Sequence, residues 1–117
     1  MKINGNIIIM RTIGAFNEYG AQNYTNAIKS AVDSLQGNSF SILVNNLAFL
    51  GGTPEAYQEL ENYNAWLNQQ NFSAKAMVIN CNTTLDVIHM LSPSMASQKT
   101  KNFDNEEEAM AWLQNLN

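Results

Sequence analysis

The stretch NNLAFLGGTPEA, residues 45–56, joins an apolar run to a helical pattern. Its two glycines, Gly51 and Gly52, let the chain turn with a positive φ. Thr53-Pro54-Glu55 is a helix start. A threonine at the N-cap accepts a bond from a first-turn N–H, Pro54 suits the first helical position, and Glu55 complements the helix dipole. A strand that leads through a tight corner into a capped helix is the joint from which α/β domains are built.

Outward from this corner the chain repeats the joint. FSILVNN (40–46) reads as a short buried strand, and a helix runs from Pro54 to about Gln70 with Ala56, Leu60, Tyr63 and Leu67 on one face. Upstream, Asn4-Gly5 is a hairpin signal that pairs the stub Lys2-Ile3 with the β-branched run NIIIMRTIG (6–14). Asn17 caps a helix whose Ala21, Tyr24, Ala27, Ile28, Ala31, Val32 and Leu35 form one buried stripe, with Gly37 at its stop. Downstream, AKAMVINC (74–81) is a strand. Asn82 or Thr83 caps a short helix with Leu85, Ile88 and Leu91, and residues 92–97 form a loop around Pro93. KTKNF (99–103) is the last strand. Asp104 with Glu107 resembles a capping box for a helix whose core face is Ala109, Trp112, Leu113 and Leu116. The order β-β-α-β-α-β-α-β-α predicts one α/β domain over 1–117, a mixed and mostly parallel sheet of about five strands with about four helices.

Composition narrows the function classes. Asparagine occupies 18 positions and glutamine seven, scattered without period, so the amides read as surface composition rather than a ligand site. A net charge of −4, with Lys99 and Lys101 as the only basic cluster, argues against nucleic acid and against anionic membrane surfaces. No apolar run reaches the length of a membrane span, and MKINGN lacks the pattern of a signal peptide. A single cysteine, Cys81, cannot form an internal disulfide, which fits a reducing cytoplasm.

The element order, together with GAFN (14–17), GGTPEA (51–56) and NFDNEEEAMAWL (102–113), resembles the SpoIIAA-like, or STAS-like, family over nearly the whole chain, in its small stand-alone bacterial branch. The resemblance implies a mixed sheet with helices layered against it, and no activity. Relatives include anti-sigma-factor antagonists, transporter regulatory domains and small bacterial proteins without an assigned role. In the antagonists a serine in a D-S-S-G corner is phosphorylated by a partner kinase. The matching corner here, Leu50-Gly51-Gly52-Thr53, lacks the aspartate and the paired serines and offers only Thr53 as a hydroxyl.

Thr53 is an N-cap and, alternatively, a regulatory hydroxyl. Gly51, Gly52 and Thr53 form a candidate binding corner, but Pro54 removes a donor and Glu55 repels an anion, so a phosphate cradle is disfavoured. His89 is the only histidine, and with Cys81 it assembles no triad of nucleophile, base and orienter. One Cys and one His fall short of a zinc site. The chain is therefore expected to be no enzyme and to hold no metal or cofactor. Trp66, off the centre of its helix stripe, and Tyr63 form a candidate interface for a protein partner or a second copy in a homodimer. The expected function is a non-catalytic binding or regulatory module acting by protein contact. The alternatives are a carrier of a small apolar molecule or lipid between the helices, and a phospho-switch at Thr53.

Overall fold

The computed structural model describes residues 1–80 and 82–116. Among these, β1 (Lys2–Asn4), β2 (Ile7–Phe16), β3 (Phe40–Gly52), β4 (Phe72–Val78) and β5 (Thr100–Phe103) form one sheet in the order β1-β2-β3-β4-β5. The β1–β2 hairpin is antiparallel, turning at Gly5 with φ 62°, and every other pair is parallel. The helices are α1 (Glu18–Ser34), α2 (Pro54–Leu67), α3 (Asn82–Leu91) and α4 (Glu106–Gln114). Element order and sheet type agree with the sequence reading.

Strand alternation sorts the core into two layers. Ile8 and Met10 of β2 and Phe40, Ile42 and Val44 of β3 pack on Tyr24, Ile28 and Ala31 of α1 and on Tyr63 and Leu67 of α2. The opposite face offers Ile7, Leu43, Ala74, Ala76 and Val78 to Ala109 and Leu113 of α4. A third cluster closes the first layer under α3, where Met77 and Ile79 meet Ile88, Tyr57 and Met95.

Several boundaries differ from the sequence reading, each for a local reason. The quoted corner is itself strand as far as Gly52. β4 pairs with β3 only as far as Asn45, while β2 follows it to the end, with Ile13 opposite Ala48, Gly14 opposite Phe49 and Phe16 opposite Gly52. Two register shifts bend this ribbon, and Gly14 (φ 76°) and Gly51 (φ 105°) supply the left-handed backbone there. α1 stops at Ser34, because Gln36 (φ 54°) already turns left-handed before Gly37 (φ 82°). α2 ends at Leu67, after which the amides of Gln69 and Gln70 bond to Trp66 and Leu67 in a tightened turn. Asn82 lies within α3 rather than capping it, and the preceding position is outside the described residues. The Pro93 segment is a short 3-10 helix, Pro93–Ser97, held where Glu61 accepts bonds from Ser94 N (2.8 Å) and Oγ (2.6 Å).

The cap of α4 is Asn105, not Asp104: Asn105 Oδ1 accepts from Glu108 N at 2.9 Å. Glu106 thereby becomes the first residue of the helix. From there it takes a paired bond from Arg11 Nε (3.0 Å) and Nη2 (3.2 Å) and one from Asn45 Nδ2 (2.8 Å), which ties α4 to β2 and β3. The Arg11 guanidinium and the Asn45 amide hold the Glu106 carboxyl below its ordinary range. Asn105→Ala should lower stability by about 1 kcal/mol, whereas Asp104→Ala should change it by less than about 0.5 kcal/mol. Urea denaturation of the two variants checks this, and the reverse order would reinstate Asp104 as the cap.

Candidate functional site

Two regions carry chemistry beyond packing, one at the surface and one inside. The surface region is the end of the sheet where parallel β2 and β3 finish and α1 and α2 begin. Thr53 N donates to Phe16 O at 3.0 Å, which ties the two strand ends together. Thr53 Oγ1 accepts from Ala56 N at 3.1 Å, so the threonine caps α2 while staying exposed to solvent. Gly52 is needed for space: an added Cβ would stand 3.3 Å from Ala56 Cβ and 3.4 Å from Phe16 O. Gly51 is needed for its φ. The sole acidic group of the first turn of α2 is Glu55, and Pro54 removes one N–H donor, so nothing in this corner is arranged to hold an anion.

Beside this corner the ribbon exposes apolar side chains. Ile13 is 71% exposed, Leu50 80% and Leu47 44%, and Tyr19 in the first turn of α1 is 66% exposed. The sequence points instead to Tyr63 and Trp66 as a candidate interface. Tyr63 is only 3% exposed and belongs to the core. Trp66 is half-buried, stacked on Tyr63 at 6.5 Å between centroids, with Lys29 Nζ 5.3 Å from its ring centroid. Tyr63 was misplaced because it shares a helix face with Leu60 and Leu67, which is the face turned inward. The signal for the exposed ribbon is LAFL itself, which continues β3 past its last pairing with β4.

His89 is exposed on α3, and among the described residues no three of His, Cys, Asp and Glu converge on one point. Cys81 lies outside the described residues.

The interior region went unnoticed in the sequence. Lys75 of β4 is 3% exposed, on the same strand face as Met77 and therefore inside the first core layer. Its Nζ donates to Asn64 Oδ1 at 2.7 Å and lies 5.7 Å from the centroid of the Tyr63 ring. Gln98 Nε2 donates to the same Oδ1 at 3.3 Å and to Asn68 Oδ1 at 3.0 Å. A cavity of about 60 Å³ adjoins Lys75 and is walled by side chains such as Phe16, Phe49, Tyr24, Tyr63, Thr12 and Asn46. Among the described residues no carboxylate lines it. Burial without a counter-charge pushes the Lys75 ammonium down to about 7. The Tyr63 hydroxyl is buried without a hydrogen-bond partner. It faces Tyr24, and burial raises both phenols above their ordinary range. The space beside Lys75 is small, whereas a cleft of about 340 Å³ lined by Pro54, Tyr57, Val87 and Leu91 lies between α2 and α3.

Against known proteins, no protein-family model and no curated protein matches the chain. Among solved structures, that of the anti-sigma factor antagonist SpoIIAA in its unphosphorylated form superposes with a TM-score of 0.70. Sequence identity is 13%, and the match covers 99% of this chain and 96% of that one. The chain has the SpoIIAA-like, STAS-like fold. No helix among the described residues is long and apolar enough to cross a membrane.

Two outcomes are expected at these sites. Thr53→Ala should lower stability by about 0.5–2 kcal/mol, while Thr53→Ser and Thr53→Asp keep most of it, since each still offers an oxygen to the first turn. Thermal melting of the three variants is the check. For Lys75 the folded value of about 7 lies below the ordinary 10.5, so the unfolded chain binds more protons between these limits. Stability should therefore rise with pH above 7, by about 1 kcal/mol per pH unit. The raised phenols of Tyr24 and Tyr63 act oppositely above pH 10, where the unfolded chain ionises first. The curve should thus peak near pH 10, and Lys75→Met should flatten its rise. Urea midpoints across pH 6–10 would reveal a flat wild-type curve if Lys75 were charged throughout.

Proposed function

We propose that this protein is a non-catalytic regulatory module that binds a protein partner through the ribbon end of its sheet. The observation that carries this reading is the exposure of Ile13, Leu47 and Leu50 on a two-stranded segment that outruns the rest of the sheet. Three large aliphatic side chains left exposed at one end of a sheet support an interaction surface there. Tyr19 at the adjoining helix start adds an aromatic group of the kind that anchors interfaces. The fold supports the same reading, since the solved structure it resembles is that of an anti-sigma factor antagonist.

A second reading, a regulatory hydroxyl at Thr53, is favoured by one observation: the residue is exposed beside this patch, at the N-terminus of α2. A phosphate there would gain from the helix dipole and lose from Glu55. The two readings share a surface and differ in whether its charge state is changed.

The test compares baits that fold equally well. Wild type, Leu50→Asp, Ile13→Asp and Thr53→Asp are immobilised, and captured proteins from the native host are quantified by mass spectrometry. Partner capture should fall about tenfold or more with either apolar-to-aspartate change, since a buried charge in an interface costs well over 1.4 kcal/mol. Thr53→Asp should alter capture only if the second reading holds. Equal capture by wild type, Leu50→Asp and Ile13→Asp would overturn the proposed surface.

A further inference from the structure

The cavity beside Lys75 shares Phe16 and Phe49 with the ribbon but none of its exposed side chains, and among the described residues it is where a buried cation lacks a counter-charge. Arg11 has Glu106, and Lys29 and Lys101 lie over aromatic rings in positions open to water. Lys75, by contrast, is enclosed, with one amide oxygen as its direct partner. An ammonium has three donors, and Asn64 Oδ1 takes one of them. The other groups facing it are polar but uncharged: Asn64 and Tyr63 from α2, Tyr24 from α1, Thr12 from β2, Asn46 from β3 and Ser92 beside the 3-10 helix. The titratable members are the two phenols, which stay protonated over the whole neutral range.

This set of groups has a definite chemical complement. Two kinds of donor belong to residues that line a space of about 60 Å³: the Lys75 ammonium, and the Tyr63 hydroxyl, which sits beside that of Tyr24 without a well-formed hydrogen bond. An acceptor with two oxygens in one plane can take a bond from each. The space admits roughly three or four heavy atoms. The rest of the wall is mostly apolar and aromatic, with the uncharged Thr12, Asn46, Asn64 and Ser92 among it, so it tolerates a methyl group or a hydrogen but no second charge. Water alone would satisfy the hydroxyl but leave the ammonium uncompensated, and a buried unpaired charge is far more costly than a buried unpaired hydroxyl.

We propose that the cavity between β4 and α2 is a binding site for a small monovalent carboxylate of formate or acetate size, held by Lys75 Nζ and the Tyr63 hydroxyl. The anion binds the protonated amine, so binding and proton uptake at Lys75 are linked. Below pH 7 the amine is already charged and affinity is independent of pH. Above it, each pH unit removes about tenfold in affinity, because the proton must be recovered before the anion binds.

The experiment uses the full chain labelled with carbon-13 at the lysine side chains. The Lys75 Cε signal is assigned by its loss in Lys75→Met. Sodium formate and sodium acetate are titrated against sodium chloride at equal ionic strength, at several pH values from 6 to 9. The expected result is saturable binding of formate or acetate, a Lys75 titration midpoint moved upward from about 7 by at least one unit at saturation, and weakening of about tenfold per pH unit above 7. Tyr63→Phe should weaken binding about tenfold while Lys75 still titrates near its free value, since a hydrogen bond to a charged group is lost. Lys75→Met should abolish binding. Should that variant fail to fold, the wild-type midpoint and Tyr63→Phe decide alone. The inference is overturned if neither carboxylate moves the Lys75 midpoint beyond chloride, or if chloride moves it equally. Undiminished affinity in either variant also overturns it. Failure at this site leaves the ribbon surface untouched, because the captures there use different residues.

Discussion

A central parallel strand must hide both of its faces, and the rest of this molecule is arranged around that requirement at β3. From Phe40 to Val44 every residue is buried, with Phe40, Ile42 and Val44 turned to α1 and α2 and Leu43 to α4. At Asn45 the partner β4 departs, and the strand changes character at once. Asn45 and Asn46 supply the polar groups for this transition. Asn45 reaches Glu106 at the head of α4, and Asn46 takes the hydroxyl of Thr12 on β2. Beyond them β3 keeps only β2 as a neighbour and carries exposed leucines, so the departure of one strand creates the surface that the functional reading rests on.

The same point shows what the sequence made legible and what it did not. Caps were readable because their chemistry is local: Asn17 and Thr53 each bond the N–H three residues on, as their position before an apolar stripe implies. The sheet type followed from alternation of strand and helix. The true length of β3 did not, because LAFLGG has no β-branched residue and two bulges break its period-two pattern. Asp104 and Asn105 are adjacent and both good caps, so a one-residue shift could not be decided without knowing that Glu106 must reach Arg11. Lys75 is legible only through the phase of its strand. In AKAMVI the alternation that sends Met77 and Ile79 inward sends Lys75 inward as well, and a charged residue at an inward position of an apolar strand is the signal.

The cavity wall and the ribbon are continuous in packing. Phe49 on the ribbon meets Phe16 edge-on at 5.5 Å between centroids, Phe16 meets Tyr24 at 6.3 Å, and Tyr24 meets Tyr63 at 5.8 Å. These edge-to-face contacts explain how so small a domain carries many aromatics without exposing most of them. They also explain why the space beside Lys75 persists. Rigid rings that bridge the sheet and two helices cannot collapse into it as aliphatic chains would.

The choice of residue at position 64 bears on what that space is for. Asparagine and aspartate have nearly the same shape, and an aspartate facing Lys75 would form a closed ion pair. Asparagine instead accepts from Lys75 with its oxygen and donates with Nδ2 to Leu60 O at 3.0 Å. An aspartate oxygen in the second position would face a carbonyl oxygen, two acceptors with no proton between them. The amide therefore fixes the lysine in place through a network satisfied at both ends, yet contributes no charge to neutralise it. The result is a positioned, desolvated amine that responds strongly to any anion small enough to enter. An apolar residue at 75 would pack the same layer without the desolvation of an amine. That Lys75 stands there with an amide rather than a carboxylate against it is the feature of this core that packing alone does not explain.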